Sequence, residues 1–208
     1  MSARTGSVAS RRESIDGRTA RRDRGRIAVL EAALQLFEEG ELEPSPEQIA
    51  ERAGVSARSV YRYFDDRDGL VRAVIAHKQL QVLPLFRIED LGRGELEPRL
   101  ERFAESRMQV HEAVGATARV SALKAAGDPV IRENVEFRKH EFRTQVERQF
   151  APELDGMTAE RRMIALNAID ALSQVESLDR FRVELELSVD DCRRILIASI
   201  RSLLTAAT

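Results

Sequence analysis

Aromatic residues make up only 5% of the 208-residue chain, and Trp is absent. With six Pro and no convincing period-two alternation of apolar side chains, this scarcity points to a soluble, all-helical protein. A lone cysteine, Cys192, excludes a disulfide framework within the chain, so a reducing cell interior is the default setting. No run approaches the roughly 18 apolar residues of a membrane span, and the N-terminus lacks the apolar core of a secretion signal. The expected location is cytoplasmic. Gly-rich phosphate loops, a GxSxG elbow and any close grouping of Ser, His and Asp are missing too, which removes the usual hydrolase and transferase arrangements. His77, His111 and His140 are too scattered for a metal set, and no cofactor is expected.

What the chain does have is apolar content for a real core, at 43%, and dense charge, at 33%. The net charge of −2 announces no polyanionic partner, but the charge is unevenly placed. Residues 1–26 hold eight Arg against Glu13, Asp16 and Asp23. Basic arms of this kind track phosphate backbones; the competing reading is a solvated tail in a chain whose basic residues are nearly all Arg. Residues 1–21 have almost no apolar side chains and are read as a disordered basic tail.

From Arg24 the pattern changes. Ile27, Leu30, Leu34 and Phe37 recur at steps of three and four, with Ala33 on the same face, which predicts an amphipathic helix ending at Gly40. Ser45 caps a short helix beginning at Pro46, with Ile49, Ala50 and Ala53 on one face before Gly54. Ser56 caps a second short helix over Ala57 to Phe64. Asp66 caps a longer one, with Leu70, Val71, Val74 and Ile75, running to about Phe86. Helical patterns then cover 96–126, divided in two if Gly115 breaks it, and 129–150, 158–177 and 189–206, with Asp128, Thr158 and Ser188 at their starts. The pentamer GELEP occurs at Gly40 and again at Gly94 with unlike flanks, a coincidence rather than a repeat.

The stretch GVSARSVYRYF carries the chemistry. Two short helices joined by AGVS form a helix-turn-helix pattern: Gly54 permits the tight turn, Val55 plugs the core and Ser56 starts the second helix. Val60 and Phe64, four apart, mark its inner face. Arg58 and Arg62 then point away, with Ser59 and Tyr63 on one flank and Tyr61 on the other. Arg matches guanine O6 and N7 in the major groove; Ser and Tyr hydroxyls suit phosphates, which fix register. Arg67, just beyond the helix, is placed for another phosphate.

The runs RIAVLEAALQLFEEG and SPEQIAERAGVSARSVYRYFDDRDGLVRAV resemble the DNA-binding region of the TetR family of bacterial transcriptional regulators, over about residues 22–76. Carried over, the resemblance implies DNA contacts from Ser45, from Ser56, Ala57, Arg58, Ser59, Tyr61, Arg62 and Tyr63, and from Arg67. Arg67 stands where a Lys is usual, behind Asp65 and Asp66, and ELEPSP before the second helix is unusually acidic and Pro-rich. The organisation that follows is all-α with about nine helices. A three-helix helix-turn-helix DNA-binding domain (22–66) and a connecting helix (67–88) precede a ligand-binding and dimerisation domain (89–208).

The family also implies a homodimer through the last two helices, most often a repressor released by a small molecule. Small residues Ala165, Ala168 and Ala171 fit that pairing, as does the stripe Cys192, Leu196, Ser199 and Leu203 with Ile200 beside it. For an effector site, Met108, His111, Arg119, Asn134, Phe137 and His140 mix polar with apolar character. Phe137 lies off the stripe Ile131, Val135, Phe142, Val146 and Phe150. The expected partners are double-stranded DNA, a second copy of the chain and an unidentified effector, with no membrane. The alternative is a helical adaptor that keeps the fold and binds protein, against which the outward Arg58 and Arg62 argue.

Overall fold

The computed structural model describes the backbone of residues 6–205 and the side chains of residues 19–205. Ten α-helices and no strand occur among them: α1 (Gly6–Glu38), α2 (Pro46–Ala53), α3 (Ala57–Tyr63), α4 (Arg67–Val82), α5 (Leu96–Lys124), α6 (Pro129–Gln149), α7 (Ala151–Leu154), α8 (Ala159–Ser173), α9 (Val175–Asp179) and α10 (Val189–Thr205). None is long and apolar enough to cross a membrane. The chain divides into two compact units at His77 and Lys78, inside α4. The first turns of the expected connecting helix thus belong to the N-terminal unit.

In that unit, Val29, Leu30, Ala33, Leu34 and Phe37 of α1, Ile49 and Ala50 of α2, Val60 and Phe64 at α3, and Leu70, Val74 and Ile75 of α4 are buried. Each large apolar side chain among them contributes roughly 1.5–3 kcal/mol on leaving water. The exposed ion pair of Arg52 with Glu39, at 2.7 Å, adds little beside that. The first expected stripe needs one correction: Ile27 is exposed, and burial begins at Val29.

The tail needs another. Residues 1–5 lie outside the described residues, but α1 begins at Gly6, so residues 6–21 continue the helix instead of being irregular. Residues 19–24 are exposed, as their polarity requires. Lack of apolar content rules out burial but not helicity, and Arg, Ala and Glu all favour helix.

The C-terminal unit is built on α5. Leu100, Phe103, Ala104 and Met108 pack with Val146, Phe150, Leu154, Ala165, Ile169, Leu178, Cys192, Leu196 and Ile200, and Val110, Val114, Phe142 and Val175 form a second cluster. α5 is unbroken at Gly115. A Cβ there would lie 3.3 Å from His111 Nε2, closer than a side chain normally sits, so the glycine leaves room for the His111 ring along α5, against a helix cost of about 1 kcal/mol. By contrast, the helix expected over 158–177 ends at Ser173, where Gln174 turns extended (φ −72°, ψ 152°). The break lets Val175 and Leu178 reach the core and puts Asp179 against α5, and no Gly or Pro marks it.

Two buried arginines hold this unit together differently. Arg99 ties the loop before α5 to α6 and α7: Nη1 donates to Gln149 O (2.6 Å) and Glu153 Oε2 (2.9 Å), and Nε to Gly94 O (3.0 Å). Arg107 has no carboxylate within ion-pair range among the described residues. It lies over the Phe103 and Phe142 rings at 4.4 and 4.0 Å and donates to Gln145 Oε1 (2.7 Å) and Phe142 O (3.2 Å). Burial pulls its guanidinium down to about 9, against a raising effect from Asp170. It remains charged at neutral pH.

On α5, His111 and Arg119 lie a turn either side of Gly115 and share Asp179. Arg119 Nη1 is 2.6 Å from Asp179 Oδ1, and His111 Nε2 is 3.4 Å away. Burial pushes the His111 imidazole below its ordinary 6.5, outweighing Asp179, while Arg182 and Arg119 lower it further. The fold therefore holds His111 neutral, and the unfolded chain binds a proton that the folded chain resists. Stability should fall as pH drops below about 6.5. Chemical denaturation between pH 7.5 and 5.5 should show the decline, and His111→Asn should flatten it; an identical slope in the variant would assign it to other groups.

Candidate nucleic-acid interface

Two short helices make this site, each held by its ends. At α2, Gln48 N–H donates to Ser45 Oγ (3.2 Å) and Ser45 N–H to Gln48 Oε1 (2.7 Å), which meets two otherwise unpaired helix donors. α2 stops on Gly54, left-handed at φ 66°, with its N–H on the carbonyl oxygens of Ala50 and Glu51. Val55 N–H donates to Ala50 O (3.0 Å) and completes the turn. Two residues on, Ser56 starts α3, its Oγ accepting from Ser59 N–H (3.2 Å) and lying 3.0 Å from Ser59 Oγ.

The inner face of α3 is Val60, with Phe64 just after it, 2% and 7% exposed. Arg58, Tyr61 and Arg62 are exposed, and Ala57, Ser59 and Tyr63 half-buried. Arg62 lies over the Tyr63 ring at 5.4 Å, so the flanking phenol helps orient the guanidinium. One short helix thus presents two cations and several hydroxyls on a single outer surface. Major-groove edges and phosphates have the acceptors to match it.

Arg67 is placed differently from the expectation. Its Nη2 donates to Glu43 O (2.7 Å), pinning the α1–α2 link, and leaves fewer N–H groups for a phosphate. Beside it, Asp66 Oδ1 accepts from Gly69 N–H (2.6 Å) and caps α4. Gly25 and Arg26 went unnoticed in the sequence although both reach the end of α3. Arg26 lies 5.1 Å from the Phe64 ring centroid. A glycine inside an amphipathic helix was the one available hint.

The residues proposed for an effector site do not converge. Met108 is in the main core, and His111 and Arg119 meet Asp179. On α6, Asn134 is half-buried, but Phe137 (67%) and His140 are exposed, because Ile131, Phe142 and Val146 take the inner face. The proposed dimer residues also split. Ala165, Cys192, Leu196 and Ile200 are buried in the chain's own core and cannot face a second copy. Ala168, Ala171, Ser199 and Leu203 retain exposure. An apolar stripe this wide has one edge for α5 and α8 and another left over, and its width alone does not say which is which.

Residues 29–74 match the family model described as bacterial regulatory proteins, tetR family. A tetR-family transcriptional regulator from Streptomyces coelicolor shares the fold, with a TM-score of 0.65 at 20% identity over 87% of this chain and 80% of that one. A transcriptional regulator from Pseudomonas aeruginosa PAO1 scores 0.65 at 19% identity, over 88% and 91%. NalD of Pseudomonas aeruginosa, the secondary repressor of the MexAB-OprM multidrug efflux pump, scores 0.53 at 20%, over 90% and 100%. No curated protein matches.

Gly54→Ala forces a Cβ into left-handed backbone at a cost of about 1–2 kcal/mol. It should lower the urea midpoint of the N-terminal unit's unfolding; an unchanged midpoint would mean that the turn tolerates a side chain.

Proposed function

From an N-terminal region that matches the tetR family and a fold shared with its regulators, we infer a DNA-binding transcriptional regulator that acts by binding rather than catalysis. It works in the cytoplasm as a homodimer on a palindromic operator. The observation that carries this is the outer face of α3: Arg58 and Arg62, one turn apart and exposed, between Ser59, Tyr61 and Tyr63. In this proposal the two Arg read base edges. Ser45, Ser56, Ala57, Ser59, Tyr61 and Tyr63 set the register on the backbone, and Arg67 supports it, chiefly by fixing the link before α2.

A dimer follows from the chemistry of the target. Half-sites that present the same groove face lie about 34–36 Å apart, beyond one α3. The surface that supports pairing is the outer side of α8 and α10. Met163 and Ile164 are 54% and 52% exposed beside Ala168 and Ala171, and Ser199 and Leu203 continue it on α10. Repression is favoured because NalD, with the same fold, is a repressor.

A small-molecule effector completes the proposal. Its support is the polar interior of the C-terminal unit, where Arg107 Nε, Gln174 Oε1 and His111 Nδ1 have no hydrogen-bond partner among the described residues and His111 Nε2 has only Asp179 at 3.4 Å. Such groups are costly to bury unmatched. An effector changes DNA affinity only through unequal affinity for two conformations of the regulator.

Selection of bound duplexes from a random pool should enrich a palindrome. A pool without enrichment, or one enriched in a single asymmetric site, would overturn the proposal. Ile164→Asp should sediment as a monomer and bind the selected duplex at least tenfold more weakly. A variant that stays dimeric would move the interface elsewhere.

A further inference from the structure

We propose that the N-terminal part of α1 is a second DNA-contacting element, in which Arg21, Arg22 and Arg24 take backbone phosphates on the flank marked by Tyr63. The proposal rests on the DNA-binding reading of α2 and α3, and adds a surface outside the helix-turn-helix.

α1 does not stop where the core stops. Val29 is its first buried side chain, yet the helix extends back to Gly6. One turn before Val29, Gly25 lies against the end of the recognition helix. A Cβ on Gly25 would sit 2.4 Å from Tyr63 Oη and 3.1 Å from its Cζ. The missing side chain is what lets the phenol rest on the α1 backbone. The next residue, Arg26, lies over Phe64 at 5.1 Å. Together these contacts fix α1 against α3 in position and in rotation.

That rotation decides which residues come next along the face. Positions three and four before Gly25 lie on its side of the helix, and these are Arg22 and Arg21. With a rise of 1.5 Å per residue, they sit about 4.5–6 Å further along α1 than the contact with Tyr63. Arg24 is beside them. All three are exposed, and none forms an ion pair with a described side chain. In residues 19–26 only Asp23 opposes four Arg. Three guanidiniums that form no ion pair with a described carboxylate, held next to the Tyr63 flank by a close backbone contact, match a line of phosphates leaving the groove that α3 reads. Such contacts carry no base information and act through counterion release.

The test uses the full chain and the duplex that the parent itself selects. In R21Q/R22Q/R24Q, affinity should fall at least tenfold at ~0.1 M salt, and the slope of log affinity against log salt should drop by about 2–3, at roughly 0.9 per phosphate lost. The base preference of the selected pool should not change. The charge-conserving R21K/R22K/R24K should keep most of the slope. Gly25→Val, which takes away the seat of the Tyr63 ring on α1, should weaken binding while circular dichroism shows the helices intact. If the Gln variant matches the parent in affinity and slope, or the Lys variant loses as much as the Gln variant, the inference is overturned. A parent that selects no duplex would instead defeat the DNA-binding reading itself.

Discussion

Seven residues make two turns of helix, too few to persist alone in water, so α3 exists only because Val60 and Phe64 are buried beneath it. That burial is the constraint from which the site follows. It fixes the rotation of α3, and rotation turns Arg58, Tyr61 and Arg62 outward. The caps at Ser45 and Ser56 and the left-handed Gly54 set where each short helix begins and ends. In the proposed reading, specific recognition depends on an apolar contact that never touches the DNA.

The same logic separates what was legible in the sequence from what was not. α2 and α3 could be placed nearly to the residue because capping and turn chemistry are local: a Ser, a Pro and a Gly each do one thing at one position. The GELEP pentamer shows the limit of local reading. At Gly40 it leads through an irregular link to Ser45, whereas at Gly94 its Leu96, Glu97 and Pro98 are the first turn of α5. The residues that follow, not the pentamer, decide.

Tertiary requirements were harder to see. Gly115 has the look of a break and instead leaves room for the His111 ring; the real break after Ser173 has no sequence signal because burial of Val175 and Leu178 drives it. The apolar stripe of α10 was legible as a stripe, but Cys192, Leu196 and Ile200 belong to the chain's own core. Phe137 was rightly set apart from the α6 stripe, yet it faces solvent. Periodicity reports that a face is apolar and leaves its neighbour unnamed.

The central claim is that the outer face of α3 touches base edges in the major groove. Dimethyl sulfate methylates guanine N7, the acceptor an arginine fork uses there, so protection of N7 in the bound operator reads that contact directly. The parent should shield guanines symmetrically in the two half-sites, and Arg58→Ala and Arg62→Ala should each expose a different one while leaving the helices intact. A complex in which every guanine N7 stays fully reactive, or in which both variants protect as the parent does, would contradict the account.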